Sequence, residues 1–202
     1  ALVSDAGTPG ISDPGEVIAQ MAAQEGIRVS PIPGASAAIS ALIVSTFATG
    51  RFAFEGFLPK NKRDKRERIE NFRAETRTIV VYESPHKLLE TLEMLNEIIE
   101  DRKISLAREI TKKFEEIWTG TAADAIEKYT EELPKGEFVL VISGADPKRL
   151  EEEKYSEWEK LPVEKHYQMY LDQGLESKEA MKRTAEDRGV TKRDIYRLLN
   201  RD

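Results

Sequence analysis

The chain has 202 residues, 40% hydrophobic and 34% charged, with a formal net charge of −6 and no cysteine. That balance is ordinary for a globular protein and too apolar for disorder, and the length suits one sizeable domain with or without a small appendage. Disulfides, thiolate catalysis and Cys-ligated metals are excluded, a histidine metal site is not expected from His86 and His166 alone, and any nucleic-acid binding needs a local basic patch.

In chain order the pattern is α/β. "ALVS" reads as a short apolar strand that runs into a Gly/Pro loop, residues 5–15. Asp13, Pro14 and Glu16 carry helix-start signals, predicting a helix to about Glu25, where Gly26 stops it. "IRVSPI" reads as a second strand, followed by the turn "PGAS" and a helix capped by Ser36 that runs from 37 to about 46. That region, "ASAAISALIVSTFA", is the most apolar of the chain, and it is too short and too rich in Ser and Thr to span a bilayer. A soluble, cytoplasmic protein is expected.

"RFAFEGF" alternates as a strand, and the basic stretch "PKNKRDKRERIENFR" is helical from about Lys62. Strand "TIVVYE" leads to Ser84 and Pro85 and a helix from His86 to about Glu100, with Leu88, Leu89, Leu92, Leu95, Ile98 and Ile99 on one face. "KISLARE" and "FEEIWTG" read as strands, Thr121 and Asp124 as a capping box for a helix to Glu132, and "GEFVLVIS" as a central strand. Residues 146–162 are mostly charged without apolar periodicity and read as a linker. Residues 163–202 show only helix pattern: one helix to about Gly174, another from Ser177 to about Arg188, then the Gly189-Val190 turn and a third capped by Thr191 and Asp194. Two short helices joined by a Gly turn form a helix-turn-helix pattern.

Several chemistries are absent. There is no G-x-x-x-x-G-K-[ST] loop and no G-x-S-x-G elbow, and Gly7, Gly10 and Gly15 do not have the G-x-G-x-x-G spacing. What remains is two backbone-rich turns, "AGTPGIS" and "PGASA", each placed after an expected strand, where open α/β sheets collect ligands. They suit a ligand read by main-chain hydrogen bonds, such as an adenine ring with an amino-acid moiety. The alternative is that they are only tight turns with caps.

Six segments, "SDAGTPGISDPG", "PIPGASAAISAL", "FEGFLPK", "YESPHKLLETL", "REITKKFEEIWTGT" and "GEFVLVISGA", occur in the order found in the tetrapyrrole methylase family. The chain resembles the group of these S-adenosylmethionine-dependent methyltransferases that acts on a ribose 2′-hydroxyl of a cytidine in small-subunit ribosomal RNA. The resemblance covers residues 1 to about 145, and the helical tail matches that group's C-terminal extension. It implies two α/β halves with the methyl donor in the cleft between them, and pairing as homodimers. Of these, the chain holds the end of the first half (residues 1–145 include it together with the whole second half) and the tail. The part carrying a "TPIGNL"-like segment is missing, so weak donor affinity and little activity are expected of the chain by itself.

By the resemblance, "GTPGI" aligns with a family "GDPxx" turn in which Thr8 replaces Asp. Gly7, Thr8, Pro9, Ile11, Ser36, Ala37, Tyr82, Ile110 and Gly136 are then the residues beside S-adenosylmethionine. Glu83, Glu109 and Lys112, with His86, are the candidates for a general base that takes the hydroxyl proton. Glu83 alternatively precedes a cap, His86 is a first-turn helix residue, and Glu109 pairs with Arg108. No metal is implied.

Residues 60–73 carry seven cations against three acids in an otherwise acidic chain. RNA contact is expected from Lys60, Lys62, Arg63, Lys65 and Arg66, extended by Lys113; the plain alternative is a solvated face. In the tail, Lys178, Lys182, Arg183, Arg188, Lys192, Arg193 and Arg197 are interspersed with acids, which suits RNA or ribosome docking better than DNA reading. Two other functions stay open. One is methylation of a cobalamin or sirohaem precursor, against which stand Thr8, the basic segment and the tail. The other is a non-catalytic RNA- or ribosome-binding module.

Overall fold

Runs rich in β-branched and aromatic residues become one sheet: β1 (Phe52–Phe57), β2 (Thr78–Glu83), β3 (Lys103–Arg108), β4 (Glu116–Thr121) and β5 (Phe138–Ile142). The computed structural model that shows this describes residues 1–4 and 7–200, apart from the side chains at 154, 157 and 159. The strand order is β1-β2-β5-β3-β4, with β1 and β2 parallel and the other neighbouring pairs antiparallel. β5, buried along its whole length, lies in the middle, as its unbroken apolar character predicts.

Helices α1 (Glu16–Gln24), α2 (Ala37–Val44), α3 (Lys62–Glu70), α4 (Pro85–Ile99) and α5 (Ala122–Glu131) belong to the same unit, Ala1–Ala145. Strand alternation sends Ile79, Val81, Ile104, Leu106, Leu140 and Ile142 to one face, where they meet Leu88, Leu92 and Leu95 of α4 and Ala122 and Ala125 of α5. Val80, Ala107, Val139 and Val141 point the other way, under Ala38, Ala41 and Leu42 of α2. The second face is covered by small residues and rimmed by half-buried rings, Phe47, Phe52, Phe54 and Tyr82. Each buried Leu or Ile is worth about 1.5–3 kcal/mol, so most of the unit's stability resides on the first face.

The registers set Phe57, Glu83 and Arg108, which close β1, β2 and β3, alongside Phe138 and Glu116, which open β5 and β4. One edge of the sheet therefore gathers three strand C-termini.

Before β1 the structure departs from the sequence pattern. Residues 1–4 and 27–32 form no strand; Val3 is 82% and Ile32 86% exposed. A strand needs a neighbour for its ladder, and neither stretch finds one among the described residues. Asp13 does not cap α1: the helix starts after Gly15, with no side-chain cap, because the Asp13–Gly15 segment is used as a turn. Ser84 likewise makes no side-chain cap to α4; its backbone N–H donates to Glu83 Oε1 instead. Thr121 and Asp124 do form the expected capping box.

The second unit, Asp146–Asp202, contains α6 (Pro147–Glu159), α7 (Val163–Asp172), α8 (Ser177–Asp187) and α9 (Lys192–Leu199). The stretch read as a charged linker, 146–162, is mostly helix. Asp146 caps α6 by accepting from the Lys148 N–H, and Trp158 near its end stacks on the His166 ring at 3.9 Å. Aromatic contacts, Trp158 on His166 and Tyr155 beside Gly189, rather than an apolar stripe hold the helix, so periodicity did not reveal it. Val163, Ala185 and Ile195 form the small core, with Met181 and Leu199 against it, and Thr191 with Asp194 makes the expected capping box on α9.

Candidate functional site

The two backbone-rich turns meet. Thr8 Oγ1 donates to the Ala35 carbonyl at 3.3 Å. Gly7 sits at φ +72°, and a Cβ there would come within 2.8 Å of the same oxygen, so only glycine lets the turns close on each other. Pro9 and Ile11 follow in the first turn, Ile11 with its side chain 54% exposed. In the second, Ser36 caps α2 by accepting from the Ile39 N–H. One residue past Ala37, the Ala38 N–H donates to the Tyr82 hydroxyl at 3.3 Å. The phenol thereby ties the end of β2 to the first turn of α2, while its ring lies edge-on to Phe54 at 5.1 Å. Ile110, just beyond β3, packs against the same cluster as Tyr82. Gly7, Thr8, Ser36, Ala37, Tyr82 and Ile110 thus gather at the α2 face of the C-terminal edge.

Gly136 is at that edge too, but the space beside it is taken: the Glu109 side chain lies where a Cβ would be. Glu109, itself at φ +46°, accepts from the Glu137 N–H at 2.8 Å and from Lys112 Nζ at 3.2 Å, and its own N–H donates to the Glu137 carbonyl. The Glu137 N–H first and the Lys112 ammonium second hold its carboxyl below the usual carboxylate range. Lys112 is bound by Glu137 at 2.7 Å and by Glu109, which push its ammonium pKa up. These groups clamp the 109–112 loop. A stabilised carboxylate is a weak base and a stabilised ammonium has no lone pair, so both are poor candidates to accept a hydroxyl proton.

Glu83 follows Tyr82 and therefore faces the opposite side of the sheet. It is 4% exposed, accepts from Thr91 Oγ1 at 2.6 Å and lies 3.9 Å from Lys65 Nζ. Strand alternation removes it from the edge where the turns meet. His86 is exposed in the first turn of α4. Glu83, Glu109 and Lys112 are therefore each engaged elsewhere, and of the four only His86 is left exposed without a partner among the described residues.

Among the cations, Lys65 is corrected outright: it is 1% exposed, with its ammonium 3.1 Å from Thr91 Oγ1 and 3.3 Å from Glu90, and it offers nothing to a phosphate. The signal was in the spacing, since Lys65, Ile69 and Phe72, four and three apart, are the buried positions of this segment. Arg66 is exposed but bound to the Glu97 carboxylate through both terminal nitrogens. Lys60, Lys62, Arg63 and Lys113 are exposed and form no ion pair among the described residues, and the Lys113 ammonium lies 5.6 Å from the exposed Phe114 ring.

Comparison with known proteins follows the same lines. The profile of the tetrapyrrole (corrin/porphyrin) methylases matches residues 1–126. A protein of Halalkalibacterium halodurans named ribosomal RNA small subunit methyltransferase I is 45% identical over 202 residues, all of this chain and 69% of that protein. The protein of the same name in Bacillus subtilis is 44% identical over 196 residues, 97% of this chain and 67% of the relative. Among solved structures, the methyltransferase CobJ is similar with a TM-score of 0.53 at 21% identity, over 69% of this chain and 62% of that one, which is a likeness of fold.

Proposed function

The chain belongs to the tetrapyrrole methylases, and from that premise we propose that it transfers a methyl group from S-adenosylmethionine to a ribose 2′-hydroxyl of a cytidine in small-subunit ribosomal RNA. The observation that carries this reading is the run of identity to proteins named for that RNA, which extends through the helical unit as well as the sheet unit. The touching turns fit the donor: they present main-chain groups and small side chains at an edge of strand C-termini, between Tyr82 and Ile110. When bound there, the donor supplies an electrophilic sulfonium methyl. Thr8, Ser36 and Ala37 would hold it through the backbone, while Tyr82 fixes the first turn of α2 and Ile110 excludes water.

With Glu83, Glu109 and Lys112 engaged in other contacts, the protein's main contribution is alignment of nucleophile, methyl carbon and sulfur. The clamp of Glu109, Lys112 and Glu137 keeps the loop that carries Ile110 in place. Lys60, Lys62 and Arg63, with Lys113, supply the phosphate contacts, and exposed Lys192, Arg193 and Arg197 on α9 offer a second set. No helix among the described residues is long and apolar enough to cross a membrane, and we place the enzyme in the cytoplasm as a homodimer, in keeping with its ribosomal substrate and the habit its family resemblance implies.

The test is transfer of labelled methyl from S-adenosylmethionine to small subunits lacking the modification, by the chain and by a version extended to the length of its relatives. Label on a ribose 2′-oxygen is the expected product. Label on a porphyrinoid and none on RNA overturns the reading in favour of tetrapyrrole chemistry; RNA binding without transfer by the extended protein reduces it to a binding module.

A further inference from the structure

β1 begins with regular alternation. Phe52 and Phe54 pair with Thr78 and Val80 and turn towards the α2 face, so by period two the next side chain on that face belongs to position 56 and Phe57 points to the opposite face. The ladder breaks that rule. Between Phe54↔Val80 and Phe57↔Tyr82, β1 advances three residues while β2 advances two. Gly56 makes the extra step at φ +61°, and a side chain there would crowd Ser12 of the first turn, 3.1 Å from a Cβ. Glu55, the residue left over, is held by Arg68 of α3 at 2.7 Å. The bulge re-aims Phe57 to the side of Tyr82, with ring centroids 5.5 Å apart and an interplanar angle of 58°. There Phe57 is 60% exposed.

A bulge anchored by an ion pair that turns a phenyl ring out of the core and onto the wet rim of the site is a feature with a cost. The ring lies against a tyrosine whose hydroxyl is itself hydrogen-bonded. Three to six residues further on come Lys60, Lys62 and Arg63, exposed and without an ion pair among the described residues. A flat apolar surface followed within six residues by exposed cations is complementary to an unpaired nucleotide, whose base stacks on the ring while the flanking phosphates meet the cations.

The geometry points to Phe57 as the stacking platform for an unpaired base of the RNA substrate, a positioning residue for the acceptor nucleotide. The inference rests on the RNA methyl-transfer reading above. Phe57 orients the acceptor and does not touch the donor.

Three proteins test it, all in the extended form: wild type, Phe57→Ala and Phe57→Trp. Stacking is worth a factor of about five to 160 in affinity per base. Phe57→Ala therefore binds small-subunit RNA about tenfold more weakly, with S-adenosylmethionine affinity by calorimetry unchanged. Phe57→Trp keeps wild-type RNA affinity, and its added indole emission is quenched when RNA binds. Unchanged RNA affinity in Phe57→Ala, or an unquenched indole in Phe57→Trp, overturns the proposal, and so does loss of donor affinity in Phe57→Ala. Lys62→Ala separates the two levels: if it weakens RNA binding while Phe57→Ala does not, stacking alone is wrong. If wild type neither binds nor methylates RNA, the functional reading falls and this inference falls with it.

Discussion

In the sheet unit, alternate residues of β2 and β5 vanish into two apolar clusters. In the helical unit the most deeply buried large side chains are Ile195 and a histidine. His166 is stacked on Trp158; its Nδ1 accepts from Arg188 Nε at 3.1 Å, so Nε2 carries the proton and donates to Asp187 at 3.2 Å. Tyr170 donates to the same carboxylate, and Arg188 also reaches the Leu161 carbonyl. Size explains the contrast. A unit of fewer than about 60 residues buries a smaller share of its apolar surface, so the small core of Val163, Ala185 and Ile195 is supplemented by a connected polar network. The sheet unit has buried polar groups as well, Arg102 on the carbonyls of Phe72, Glu75 and Ser143 and the knot of Lys65 with Thr91, Glu83 and Glu90, but they sit beside a large apolar core.

The largest effect should come from that knot. Lys65→Ala leaves Glu83 buried without its cation, and loss of about 3–5 kcal/mol in urea unfolding is expected, with RNA affinity untouched in the fraction that stays folded. Lys62→Ala should do the reverse: stability within about 0.5 kcal/mol, weaker RNA binding and a salt dependence reduced by about one unit of slope. A stable Lys65→Ala would show that the buried Glu83 carboxyl keeps its place without the cation.

Next come the cores. Ile195→Ala and Leu92→Ala each remove a fully buried side chain, at about 2–5 kcal/mol. For the helical unit that approaches its whole stability, at roughly 0.05–0.15 kcal/mol per residue. Hydrogen exchange should therefore find α7–α9 open in Ile195→Ala with the sheet protected. In Leu92→Ala the sheet should weaken and survive.

Tyr82→Phe removes the acceptor for the Ala38 N–H at a cost of about 1 kcal/mol. It should lower donor affinity more than RNA affinity, which equilibrium binding of each ligand would show.

The smallest effect is a pH dependence confined to the helical unit. Burial, aided by the Arg188 guanidinium and opposed by Asp187, lowers the His166 pKa from its ordinary value. The unfolded chain therefore takes up the proton first. Stability is complete above about pH 6.5 and declines as pH falls below it towards the folded pKa. The near-ultraviolet signal of Trp158 should melt at lower temperature at pH 5.5 than at pH 7.5. A flat profile would mean that folding leaves the histidine's proton affinity unchanged.

Much of the fold was legible in order of residues. The strands from Phe52 onwards and the leucine face of α4 show in apolar periodicity, while the Thr121 and Thr191 capping boxes and the Gly189 turn rest on neighbours in sequence. The misread positions are those whose state depends on a distant partner. Lys65 looked like one more surface cation because Thr91 and Glu90 lie 25 residues or more away. Residues 146–162 looked like a linker because aromatic contacts, not a stripe, hold α6, Tyr155 meeting Gly189 and Trp158 the His166 ring. Residues 27–32 have strand character but no ladder among the described residues.

Local chemistry and the likeness of six motifs were enough for the α/β class, the two turns and the family. Only the tertiary structure decided that the turns touch, that Tyr82 faces them while its neighbour Glu83 is buried on the opposite side, and that a bulge brings Phe57 round to the same rim. The physical reason is that a strand's side-chain period is two: one residue more or less exchanges the faces, and no run of residue types records which face the site will use.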